Sequence, residues 1–132
     1  MIKSDQKGQS LVEVAVALPV LLLILLGILD LGRAYFTYIA LADAAAEGAA
    51  YGAIHPDDTA QIVERAAESS NGLVTLEPDM VSVDLIDLSA GLPITVTVEY
   101  QYQLLTPVIQ TFVPNGIITM RASVAQSIIN DL

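Results

Sequence analysis

Cysteine and tryptophan are absent from the 132-residue chain, histidine occurs once, and only 5 residues are basic. Without cysteine there is no disulfide framework, thiolate metal site or cysteine nucleophile. The cations Lys3, Lys7, Arg33, Arg65 and Arg121 are scattered. They form no basic patch to neutralise phosphates, which disfavours nucleic acid as a partner. Against them stand 15 acidic residues and a net charge of −10, which an anionic membrane surface repels. The single histidine, His55, lies beside Asp57 and Asp58. Adjacent residues rarely converge on a metal without a ligand from elsewhere, and helix breaking and capping already account for the stretch. Asp79, Asp84 and Asp87 lack the spacing of a calcium loop, and no glycine-rich phosphate loop is present. The expectation is a protein that is not an enzyme, with no catalytic residues, no metal, no cofactor and no small-molecule substrate.

What the chain has in excess is apolar surface. Hydrophobic residues make up 54% and charged ones 15%, where a soluble domain averages about 45–50% apolar. The excess sits near the N-terminus. Val14 to Leu29 reads VAVALPVLLLILLGIL, sixteen residues without a charge, bounded by Glu13 and Asp30. With Leu11, Val12 and Leu31 the run reaches roughly 20 residues, enough to span the ~30 Å hydrocarbon core of a bilayer as a helix. It is apolar on every face, and a head of roughly 80 residues could not wrap it. Lys3 and Lys7 precede the span, so the positive-inside rule puts the N-terminus in the cytoplasm and the C-terminal part outside. Tyr35, Phe36 and Tyr38 follow closely, as an interfacial aromatic belt does. Ala40-Leu41-Ala42 has the small-x-small form of a signal-peptidase site but lies well beyond the apolar run.

A second processing signal lies before the span. Gly8-Gln9-Ser10-Leu11-Val12-Glu13 places a glycine ahead of the apolar run and a glutamate fifth after it. This resembles the site of type IV prepilins. The wider stretch, with Lys7, Ala17-Leu18-Pro19, the leucine run, Gly27, Asp30 and Gly32-Arg33-Ala34-Tyr35, is similar to the TadE-like pseudopilins of tight-adherence (Flp-type) pilus systems. The resemblance is dense from Lys7 to Gly52 and loose beyond, and Val14 stands where the family commonly has an aromatic. It implies cleavage between Gly8 and Gln9 by a prepilin peptidase and retention of the helix as a packing element. It also implies pairing of Glu13 with the new amino terminus of a neighbouring subunit. The implied partners are membrane lipid, the peptidase, and other pilin subunits or pilus-assembly proteins. The implied place is a bacterial inner membrane, with incorporation into an extracellular pilus as a further step. An uncleaved bitopic anchor whose head binds a periplasmic partner is the alternative. A soluble head released after Ala42 ranks third.

Beyond the span the alanine-rich stretch continues the helix to Ala53. Pro19 removes one helical hydrogen bond and predicts a local kink. Ala44, Gly48 and Gly52 recur every four residues, giving a small-residue face for close packing by the head's sheet or by a partner helix. His55-Pro56 breaks the helix. Asp58 to Gln61 then forms a capping pattern for a short helix ending near Ser70, with Asn71-Gly72 as the stop. Val81, Val83 and Leu85 alternate with polar neighbours. Ile94, Val96, Val98, Tyr100, Tyr102 and Leu104 share one face of a strand, and Ser89-Ala90-Gly91 makes the first pair a hairpin. A third strand runs from Ile117 to Ala125 after Pro114-Asn115-Gly116. Leu105 to Val113 between them is apolar for a loop, and reads as a plug over the core or as a contact with the membrane surface or a neighbouring subunit. The expected fold is α+β and pilin-like: a long N-terminal transmembrane helix packed by its C-terminal half on a small antiparallel sheet of about three strands. The segments are a leader (1–8), the span (9–31), the helix continuation (32–53) and an extracytoplasmic head (54–132).

Overall fold

A computed structural model describes residues 6–70, 72 and 74–129. Lys3 and Asp5 of the expected leader, and Asn71 of the expected helix stop, lie outside them. Helix α1 (Gln6–Gly52) is followed by helix α2 (Thr59–Glu68), strands β1 (Val81–Leu85) and β2 (Pro93–Gln103), a one-turn helix α3 (Pro107–Gln110) and strand β3 (Ile117–Ser127). The α+β class, the long apolar helix and the three-stranded antiparallel sheet agree with the sequence reading. Contacts divide the chain into two compact units. One holds the described residues up to Arg33 with Gln103–Ile117, the other Ala34–Tyr102 with the described residues from Ile118 on.

In the second unit the alanine-rich part of α1 lies on the sheet. Ala40, Leu41, Ala44, Ala45 and Ala49 are buried with Ile62 and Ala66 of α2, Val81 of β1 and Ile94, Val96 and Val98 of β2. Fully burying a side chain such as Leu41, Ile62 or Ile94 contributes about 1.5–3 kcal/mol. The alanines contribute less individually but bring the backbones close. Helix α1 ends at Gly52, next to the break expected at His55-Pro56. Asp58 then caps α2, its Oδ1 accepting from the Gln61 N–H at 3.1 Å. Only half of the capping box forms: the Asp58 N–H donates to the His55 carbonyl at 3.3 Å, and the Gln61 side-chain NH2 donates to Glu64 Oε2. Strand β1 pairs antiparallel with β2 in the register Val81↔Val98, Val83↔Val96 and Leu85↔Ile94. Strand β3 lies along the other edge of β2, with Thr97 and Ser123 hydroxyls 2.9 Å apart and Glu99 paired to Arg121. Of the residues expected to face inward on β3, Ala122 is buried and Met120 and Val124 half-buried, but Ile118 is 41% exposed. Strand β1 reaches only as far as Val98, which leaves the sheet narrower at the Ile118 end.

In the first unit α1 carries a segment long and apolar enough to cross a membrane. Its large apolar side chains from Leu11 to Leu31 are exposed. The helical assignment is continuous through Pro19. The stretch from Leu105 to Val113 groups with this part of the helix and contains α3, which starts on Pro107. Pro114 to Gly116 then turns the chain into β3. Asn115 and Gly116 adopt positive φ values of 56° and 66°. Gly116 is doubly required, since a Cβ there would meet Gln110 Cγ at 2.9 Å.

Candidate processing and assembly site

Gly8, Gln9 and Glu13 all lie on the first turns of α1 and are exposed. A Cβ added at Gly8 would meet nothing within 4 Å, so the glycine answers no packing demand among the described residues. Gln9 and Glu13 stand one helical turn apart and therefore on one face. Around Glu13 that surface is made by Val12, Val16, Ala17, Val20 and Leu21, with no other charge among the described residues. A carboxylate set among apolar side chains at the edge of a membrane helix is unfavourable until it meets a cation or reaches the headgroups. Pro19 follows Glu13 on the same helix. Lacking an N–H, it leaves the Ala15 carbonyl without its usual intrahelical donor.

The other residues singled out for helix packing are in the second unit. Ala44 is fully buried. A Cβ on Gly48 would come to 3.0 Å from Ala66 Cβ, 3.2 Å from Val96 Cγ1 and 3.3 Å from the Ile62 carbonyl. One on Gly52 would stand 2.7 Å from Ile94 Cδ1 and 3.1 Å from Ile62 Cδ1. The small-residue stripe is thus filled by the chain's own α2 and β2. His55 is used structurally: its ring stacks on Tyr51 at 4.7 Å, and the Arg65 guanidinium lies 5.2 Å from the same tyrosine ring. Among the described residues no group of three or more potential ligands gathers for a metal.

One arrangement goes beyond the sequence reading. Asp30, which the sequence presents only as the end of the apolar run, is 3% exposed. Both its oxygens accept from the Leu105 N–H at 3.1 Å. Oδ2 also accepts from the Thr106 N–H at 2.7 Å and the Thr106 hydroxyl at 2.6 Å. The Arg33 guanidinium lies 3.6 Å from Oδ1. All these residues belong to the first unit, so the side chain at the C-terminal edge of the apolar run clasps the segment that enters α3. The available signals were an acid at the close of an apolar run and a Thr-Pro step in an uncharged stretch, but neither names the other as partner.

A family model described as TadE-like protein matches residues 8–50. The match begins on Gly8, takes in Gln9, Glu13, Pro19, Ala44 and Gly48, and ends short of Gly52 and of the segment that Asp30 holds. No curated protein and no solved structure matches the chain. Over residues 8–50, about a third of its length, the chain is similar to the TadE-like proteins.

Proposed function

We infer that the chain is a minor pilin or pseudopilin, a structural and assembly component of a tight-adherence pilus rather than an enzyme. One observation carries the reading: Gly8, Gln9 and Glu13 share the start of an exposed apolar helix that matches the TadE-like model. In this reading the helix sits in a bacterial inner membrane with its N-terminus in the cytoplasm, as Lys3 and Lys7 favour. A prepilin peptidase cuts after Gly8, and the helix then packs with those of other pilin subunits or assembly proteins. Cleavage frees the amino group of Gln9 beside Glu13. In low dielectric the carboxylate of one subunit and the amino terminus of its neighbour stabilise each other chiefly against being left alone, so the pair sets axial register more than raw stability. Removal of Lys3, Asp5 and Lys7 leaves 3 basic and 14 acidic residues, a net charge of −11.

Intact mass and N-terminal sequencing of the membrane-extracted protein, expressed beside its own peptidase, tests this. A chain starting at Gln9 is expected, and Gly8→Val should stay at full length because the added bulk blocks the cut. Normal trimming of that variant would refute the assigned site. A wild-type chain starting at Met1 would favour a fixed bitopic anchor, and one starting at Asp43 a released head.

A further inference from the structure

We propose that the segment Leu105–Val113 is an interfacial membrane element that lies on the outer leaflet beside the span, with lipid as its occupant. The proposal rests on the reading that α1 crosses a bilayer. From Leu11 to Asp30 the helix rises about 30 Å, the thickness of the hydrocarbon core, so Asp30 marks the outer edge of that core. The Thr106 N–H and hydroxyl, both donating to its Oδ2, and the Leu105 N–H, shared by both oxygens, hold the segment at that depth. The segment also reaches past Asp30. Ile109 Cδ1 comes within 4.0 Å of the Cβ position of Gly27, about 4.5 Å further into the span at 1.5 Å per residue.

Composition and hydrogen bonding both suit that place. In a chain of net charge −10, Tyr100 to Met120 contains no charged residue. Phe112 is 84% and Leu105 62% exposed, with Val108 exposed beside them. Apolar side chains of that size on an exposed turn mark a surface that something apolar covers. Irregular backbone is tolerated near lipid only when its polar groups are met by the protein, and here several of them are. The N–H groups of Gln110, Thr111 and Phe112 return to carbonyls of Thr106, Val108 and Ile109, and Leu104 and Gly116 bond to each other through the Leu104 N–H. The Gln110 side chain donates to the Leu104 carbonyl at 2.6 Å, and the Thr111 hydroxyl donates to the Val108 carbonyl. The Gln110 and Thr111 side chains are thus directed at the backbone of the turn, and Leu105, Val108 and Phe112 are presented outward.

The chain has no tryptophan, so a substituted one is a sole reporter. Phe112→Trp, Leu23→Trp and Ile86→Trp are placed in the full-length protein and reconstituted into phosphatidylethanolamine–phosphatidylglycerol vesicles. Each is quenched with acrylamide from water and with lipids brominated near the headgroup or near the chain end. The expected result for position 112 is blue-shifted emission, acrylamide quenching reduced several-fold relative to position 86, and strongest quenching by the shallow bromolipid. Position 23 should respond most to the deep one. Acrylamide quenching at 112 equal to that at 86, without bromolipid quenching, overturns the proposal. Shielding at 112 that is insensitive to bromolipid and fades as the protein is diluted in lipid also overturns it, and assigns the patch to a second copy. Loss of deep quenching at position 23 removes the span itself, and the interfacial element with it, a failure visible independently of position 112.

Discussion

Asp30 gathers more directed interactions than any other side chain described above, and its chemistry makes a sharp test. Oδ2 accepts from both the N–H and the hydroxyl of Thr106. In Asp30→Asn, an NH2 replaces one oxygen. Turned toward Thr106, it can donate to the hydroxyl once that rotates, but the Thr106 N–H then has no acceptor. Turned the other way, it faces the Leu105 N–H and Arg33. Either orientation sets donor against donor, although in the second the Leu105 N–H keeps Oδ2 as an acceptor; a buried donor left without its partner costs about 1–3 kcal/mol. The expected outcome is faster amide hydrogen exchange at Leu105 and Thr106 in detergent-solubilised protein, with the sheet amides unchanged. Retained protection at both would mean that the clasp does not depend on the second oxygen. Thr106→Val, which keeps the shape and the N–H, should show a smaller effect of about 1 kcal/mol.

At the scale of elements, the two glycines that face α2 and β2 give opposite forecasts for the same substitution. Glycine inside a helix is unfavourable by about 0.8–1.0 kcal/mol relative to alanine, so either Gly→Ala change gains that much if the methyl fits. Near Gly52 the closest atoms are Cδ1 ends of Ile94 and Ile62, which can turn aside. Near Gly48 they are Ala66 Cβ, a Val96 methyl and the Ile62 carbonyl, which move only with their backbones. Overpacking of about 1–3 kcal/mol then outweighs the helix gain at Gly48 and is offset at Gly52. Denaturation midpoints of the two variants should therefore separate, with Gly48→Ala below the wild type and Gly52→Ala close to it. Equal midpoints would mean that α2 shifts to admit both. The same elements show what is readable from one sequence. Strands β1 and β2 follow from a period-two alternation, because one face is buried, and the α2 cap follows from Asp58. The four-residue stripe at Ala44, Gly48 and Gly52 is visible too, but its occupant is set by tertiary packing. The partnership of Asp30 with Thr106 left no periodic signal, since it joins a helix to a turn through single side-chain bonds rather than through a repeated face.

For the whole molecule, insertion and assembly should come apart. Glu13→Ala removes a carboxylate from the edge of the span, where an acid at the helix centre costs about 2.5–3.5 kcal/mol and one near the edge less. Membrane insertion is therefore expected to be unimpaired. Incorporation into filaments, measured as protein recovered in sheared pili against protein in the membrane fraction, is expected to fall. Unaltered incorporation would remove the register role given to Glu13. The Asp30 clasp has a consequence for the order of events during synthesis. Its partners in the turn, Leu105 and Thr106, lie 75 and 76 residues downstream of it. At about 5–20 residues per second, a ribosome needs about 4–15 s to add that length. For that interval the nascent chain has already made the helix, while the turn that will lie against it does not yet exist. On the proposed reading, the helix thus meets the translocation machinery and the peptidase in an earlier, simpler form than the one described here, and the fold around Asp30 closes only when export of the chain is nearly done.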